Sequence, residues 1–434
     1  MKLGDFGLLT RGGYALADQI LSSGTNFATA IIVARLLGPA DYGSFAFAYG
    51  AWIMVMGFMR SMITNPYMVR ASSLGQEEWL TATRSAAGLT LGAGLLGGAI
   101  VAVIGFSLGL THSIGQALVV ISFFFPALAL QDFWRFTAFC ISTPSKAFFN
   151  DAFWALVQAM ASLFIWLFVD IKISWMIVGW GAGALAGAIF GLWQFQTVPV
   201  FGRQTLGWLR KNASLSGWFG LSSFLYSAGT QAVAVLITAI AGRAALGGIQ
   251  SVNNLFGPAQ LISRASETIG LPMASKAKAE SGPSAVRRIA FRYTLLVGLC
   301  LTAYAALILN VGPFLLSKVF GKAFSPYGNL VIPLALAFLI NSWSTGAHIG
   351  LMASAAGRQL AQVGLLTIST QVVMIWLLAS RFGVVGATWG LAFGVLVRFF
   401  GIWLACLKAT YLLPEPASVA IVASVGARIK ERKG

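Results

Sequence analysis

Residues 247–272 read GGIQSVNNLFGPAQLISRASETIGLP. Inside this apolar stretch Gln250, Asn253, Gln260, Arg264 and Glu267 follow at spacings of 3, 7, 4 and 3, and Gly257 fills the gap. On an α-helix that spacing places all five polar side chains on one face. The stretch has the length and composition of a membrane span. Unpaired polar groups in hydrocarbon are costly, so such a span is expected to face a watery cavity or a polar partner within the membrane. Gly257-Pro258 falls mid-span and is expected to kink the helix. The stripe points to passage across a membrane more readily than to anchoring in one.

The rest of the chain agrees. It has 434 residues, 58% hydrophobic and 9% charged, with a mean hydropathy of +0.81. Soluble domains carry about 25% charged residues. The deficit runs throughout, which predicts an all-α polytopic membrane protein. Twelve spans are expected near 14–36, 42–64, 85–108, 115–141, 150–169, 174–198, 214–240, 247–272, 291–314, 327–353, 360–380 and 384–408, each long enough for a bilayer core of about 30 Å. No connecting loop has room for a soluble domain. The opening MKLGDFGLLTRGGYALADQ is too polar for a cleaved signal peptide. Cys140, Cys300 and Cys406 all fall within spans, so neither a disulfide nor a metal site is expected. His112 sits in a short loop and His348 stands alone in a span.

The formal net charge of +17 fits cytoplasmic Lys and Arg rather than a nucleic-acid partner. With the N-terminus inside, only Arg35, Lys172, Arg243, Lys318, Lys322 and Arg381 fall outside. Arg264 and Arg398 lie within spans, and the remainder are cytoplasmic. Both termini are therefore expected in the cytoplasm. The basic tail SVAIVASVGARIKERKG is expected to rest on anionic lipid. Lys318 and Lys322 suggest a short interfacial helix on the outer side.

The chain also repeats. A shift of 204 aligns Gly38, Ala40 and Gly43 with Gly242, Ala244 and Gly247, and Arg60 with Arg264. A shift of 207 aligns Gly179, Gly183 and Gly187 with Gly386, Gly390 and Gly394. These registers predict two pseudo-symmetric six-helix lobes, 1–205 and 206–434, related by an axis along the membrane normal with a central cavity between them. The glycine ladders read as close helix packing.

A charge at mid-membrane normally has a partner or a task. The candidates are Asp18, Arg60, Asp132, Arg135, Asp151, Arg264, Glu267 and Arg398. Arg135 and Asp151 lie near span ends, where snorkelling is an alternative. Arg264 and Glu267 can pair with each other. Arg60 has Ile63 where Glu267 would stand, so it looks less neutralised. Asp18, Ser22, Thr25 and Thr29 form a stripe on the first helix, and Ser223, Ser227 and Thr230 form one on the seventh. Helices 1, 2, 7 and 8 are thus expected to line a cavity of net positive character. Arginine's planar fork suits phosphate, which points to an anionic or pyrophosphate-bearing substrate. The expected substrate-binding residues are Arg60, Arg264, Gln250, Asn253, Gln260, Glu267 and Arg398, and Asp18 is the expected ion-coupling residue. No catalytic or cofactor-binding pattern is present, so neither an enzyme nor a cofactor is expected.

Residues 34–43, ARLLGPADYG, resemble the ARxLGPxxYG junction after the first helix of bacterial polysaccharide transport proteins. These are O-antigen and exopolysaccharide flippases of the multidrug/oligosaccharidyl-lipid/polysaccharide exporter superfamily. The length, twelve helices and halves of six extend the likeness over the whole chain. The resemblance implies a two-lobe fold with alternating access. It also implies an undecaprenyl-pyrophosphate-linked oligosaccharide as substrate, for O-antigen, capsule or exopolysaccharide synthesis. Polysaccharide polymerase and glycosyltransferases are the implied partners. A cation-coupled multidrug exporter of the same superfamily is the alternative. A membrane-embedded polymerase or ligase is the alternative of another class, disfavoured by the lack of a large outer loop.

Overall fold

The computed structural model describes residues 3–71, 74–202, 205, 207–208, 210, 227–354 and 356–411, without the side chains of residues 3–11, Val69, Arg264 and Thr268. Residues 214–226 of the expected seventh span, Ser223 among them, and the tail from 412 lie outside the described residues. The described residues are helical, with no strand among them.

α1 spans Leu3–Met59, about 85 Å as a single rod and far more than a bilayer needs. It is two rods. Gly38 breaks it with φ 74° and ψ 179°, a conformation that L side chains rarely adopt, and Pro39 then starts the next rod at a position where its missing N–H costs nothing. The second rod runs on through a π-helical turn, Arg60–Thr64, into α2, Asn65–Ala71. α3 (Gln76–Leu108), α4 (Ser113–Ser122), α5 (Phe125–Cys140), α6 (Pro144–Phe168) and α7 (Ile173–Phe195) follow. α8 (Ser227–Ala241) meets α9 (Arg243–Leu255) at Gly242. α10 (Gly257–Leu315) breaks at Gly282 before Pro283, and α13 (Gly357–Tyr411) breaks at Gly383. Between them lie a π turn (Leu316–Phe320), a 3₁₀ stretch (Lys322–Leu330), α11 (Val331–Ser342) and α12 (Thr345–Ala353). Cut at the glycine breaks, the described residues give twelve rods in the expected places.

Three rods are discontinuous. α9 ends at Leu255 and α10 starts at Gly257, with Phe256 as the turn (φ −88°, ψ 0°), so the kink expected at Gly257-Pro258 falls one residue earlier. α4 and α5 bend by 55° where Pro126 cannot donate to the preceding turn. α11 and α12 part at Trp343–Ser344, where the hydroxyls of Ser342 and Ser344 donate to the carbonyls of Phe338 and Asn341 and so compete with the helical ladder.

By contacts the chain divides into two compact units, Met1–Ser251 with Val319–Phe324, and Val252–Lys318 with Ser325–Gly434. In the first, α7 lies against α5 and α6 through its glycine ladder. A Cβ at Gly191 would stand 2.1 Å from Cδ1 of Trp134, a ring fully buried against Phe133 and Phe195. The two junctions aligned by the 204-residue shift also meet here, reciprocally. A Cβ at Gly43 would fall 1.8 Å from the Arg243 carbonyl oxygen, and one at Gly247 would fall 2.1 Å from that of Pro39. Phe320 and Phe324, both fully buried, close on Tyr42.

In the second unit, α12 packs on α10 so closely that a Cβ at Gly346 would lie 2.0 Å from the Ala290 carbonyl oxygen. Ala290, Ala347, Leu351 and Cys406 form one core cluster. Phe256 stacks on Phe338 at 4.8 Å.

Candidate functional site

The 247–272 stripe does not lie on one continuous helix. The turn at Phe256 separates Gln250 and Asn253 on α9 from Gln260 and Glu267 on α10. Gln250 falls in the first unit, whereas Asn253, Gln260 and Glu267 fall in the second. Gln250, Asn253 and Glu267 are half-buried and Gln260 is exposed. The side chain of Arg264 lies outside the described residues.

The first unit holds a dense cluster of in-span charge, built on α5. Gln131, Asp132, Arg135 and Phe136 project from successive turns of that helix. Asp132 takes Arg60 in a two-pronged ion pair, with Nε donating to Oδ2 at 2.8 Å and Nη2 to Oδ1, while the guanidinium lies 4.8 Å from the ring of Phe136. Arg60 is thus neutralised by a helix other than its own, contrary to the expectation drawn from Ile63. Arg135 turns the other way. It donates to Asp18 Oδ2 from Nη2 at 2.7 Å and from Nε at 3.0 Å, and its Nε lies 3.6 Å from Asp151 Oδ2. Gln131 Nε2 donates to the second oxygen of Asp151 at 2.7 Å and to Asn150 Oδ1 at 3.2 Å.

Neither Arg135 nor Asp151 snorkels. Asp18 is 0% exposed and Asp151 4%. The five charges comprise three carboxylates and two guanidiniums, one negative charge in excess when all are ionised. Asp18 Oδ1 is buried and has no hydrogen-bond partner. A cavity of about 10 Å³, lined by Ser22, Thr25, Asn26, Asp151 and Trp154, adjoins the cluster. That is near the space of one water. The first-helix stripe therefore packs inside the unit against α6. Thr29, at its far end, accepts a hydrogen bond from Gln158, and Thr25 and Thr29 also donate back to their own helix.

The second unit differs. His348 is not alone in its span: its Nδ1 lies 3.2 Å from Glu267 Oε1, because α10 and α12 pack face to face. Arg398 of α13 donates to the amide oxygen of Asn341, at the end of α11. It has no carboxylate within ion-pair distance among the described residues. An arginine held by a neutral amide keeps its charge available to an anionic ligand.

Sequence spacing did not single out Asn341, Asn150 or Gln131. Each is an amide whose partner lies on another helix. Asp132, Arg135 and Asp151 were visible as in-span charges, but their partners were not.

No family model matches the chain, and neither does any curated protein sequence. Solved structures do match in fold. An inward-facing multidrug resistance MATE family transporter of the MOP superfamily aligns with TM-score 0.74 at 12% identity, over 91% of this chain and 98% of that one. The lipid II flippase MurJ, in an inward closed conformation, aligns with TM-score 0.70 at 10% identity, over 92% and 89%. A MOP superfamily transporter from Pyrococcus furiosus aligns with TM-score 0.64 at 11% identity, over 93% and 95%. The chain has the all-helical, multi-pass membrane fold of these proteins.

Proposed function

We propose that this protein is a flippase that moves a polyprenyl-pyrophosphate-linked oligosaccharide across the bacterial inner membrane by alternating access, supplying O-antigen, capsule or exopolysaccharide synthesis. The observation that carries the reading is Arg398, a membrane-embedded cation held by Asn341 with no carboxylate partner among the described residues. A fold shared over most of its length with a lipid II flippase and with multidrug transporters supports the transport class. The ARLLGPADYG junction supports the polysaccharide branch.

In this reading the lobes are 1–205 and 206–434, with both termini cytoplasmic. The pyrophosphate engages Arg398 and Arg264, the sugars meet Asn253, Gln260 and Glu267, and the prenyl chain stays in lipid. Arg60 is taken up by Asp132 within the first unit. Asp18 takes the coupling ion, supported by the excess negative charge it shares with Asp151 around Arg135. No chemical step is involved and no cofactor is needed. Glycosyltransferases would supply the substrate and a polymerase would consume it.

The same acidic excess favours one second reading, a cation-coupled multidrug exporter. Deletion of the gene separates the two. Loss of surface polysaccharide, with lipid-linked repeat units trapped on the cytoplasmic face and no rescue by Arg398→Ala, supports the flippase. Normal polysaccharide with raised sensitivity to cationic drugs supports the exporter.

A further inference from the structure

Outside the charge cluster, the first unit carries a cleft of about 470 Å³ lined by Leu108, Thr111, His112, Ser113, Ile114 and Arg243. That volume is in the range of small-ligand sites. The cleft lies at the far end of α3 from Arg84, between the α3–α4 turn and the Gly242 junction. Arg243 is held in place there by Asp41 Oδ1 at 3.0 Å and by the Ser113 hydroxyl. Both contacts use Nη1, so among the described contacts Nε and Nη2 remain for another acceptor. Thr111 and His112 are exposed beside it and add a hydroxyl and an imidazole.

The surroundings say what kind of molecule fits. The lipid-facing flank of α3 stays apolar up to the cleft, with Ile104, Leu108 and Leu110 each about half exposed, and turns polar at Thr111. A cationic, hydroxyl-lined cleft where an apolar flank ends matches an amphiphile with an anionic head. We propose that this cleft holds the phosphate of a membrane lipid, with its acyl chains along Ile104, Leu108 and Leu110. Arg243 supplies the charged fork, Thr111 and His112 supply further donors, and Asp41 fixes the orientation of the fork. The site is separate from the substrate path proposed above and does not depend on it.

The test is native mass spectrometry of the purified full chain titrated with dioctanoyl phosphatidylglycerol, in the absence of any transport. Arg243→Gln is expected to weaken binding about tenfold, the effect of losing a hydrogen bond to a charged group. Arg243→Lys should retain part of the affinity, and Arg381→Gln, an exposed arginine of the second unit, should leave it unchanged. Inorganic phosphate should fail to displace the lipid. Unchanged binding in Arg243→Gln overturns the proposal. Displacement by inorganic phosphate overturns it in favour of a free-phosphate site. If Arg243→Gln does not fold, Thr111→Trp fills the cleft with Arg243 intact: loss of lipid binding then supports the proposal and retention overturns it.

Discussion

Arg135 holds two buried carboxylates at once, Asp18 at 2.7 Å and Asp151 at 3.6 Å. Removing one partner of a buried ion pair costs about 3–5 kcal/mol, because the charge left behind is uncompensated. Arg135→Ala is therefore expected to lower the thermal unfolding midpoint in detergent sharply. Adding Asp18→Asn, which removes one stranded charge, should restore part of the loss. A single variant as stable as the wild type would show that the pairing is incidental. Asp18→Asn alone should fold and bind substrate yet lose any dependence of transport on an ion gradient, measured in proteoliposomes. This layer was only half legible in the sequence. The in-span charges could be read, since charge within an apolar run is conspicuous. Their partners could not, because helical spacing reports only neighbours three or four residues away. Asp132 is 72 positions from Arg60, and Glu267 is 81 from His348. Ile63 therefore made Arg60 look unpaired while its carboxylate sat on another helix.

At the scale of elements, glycine decides where rods end and how closely they cross. Gly38 and Gly242 occupy the same place in the repeat and share positive φ, 74° and 84°. Five residues beyond each, Gly43 and Gly247 approach the opposite junction's backbone with no space for a side chain. Gly43→Ala is predicted to reduce folded yield and to lower stability by about 1–3 kcal/mol, the overpacking cost typical of inserted methylenes. Gly24→Ala, where nothing lies within 4 Å, is the matched control and should be neutral or slightly stabilising. Equal stability of the two variants would remove the crossing from the account. The alignment of these glycines was readable, and so were the rods and the ladder on α7. The breaks within the fourth helix of each half were not foreseen. One follows from Pro126, which a continuous hydrophobic run disguised. The other follows from serine hydroxyls taking backbone carbonyls, which no spacing rule separates from an ordinary helix.

For the whole molecule, composition carried the class: a chain 9% charged and 58% hydrophobic is too apolar for a soluble domain, and apolar runs about twenty residues long pointed to helices. Runs of apolar sequence carried the count of rods, and the internal repeat suggested two halves of six. What the repeat concealed is that its halves carry different chemistry. Described in-span charge in the first unit sums to an acidic excess around Arg135, while the second presents Arg398 on a neutral amide. In the proposed reading the first takes a coupling ion and the second a phosphate. The most direct measurement reconstitutes the purified protein in liposomes containing a fluorescent polyprenyl-pyrophosphate oligosaccharide and follows its exposure to a membrane-impermeant quencher. The account predicts protein-dependent flipping that falls at least about tenfold in Arg398→Ala, the loss of one charge-assisted contact. No flipping by the wild type, together with proton-linked efflux of a cationic dye, would contradict it.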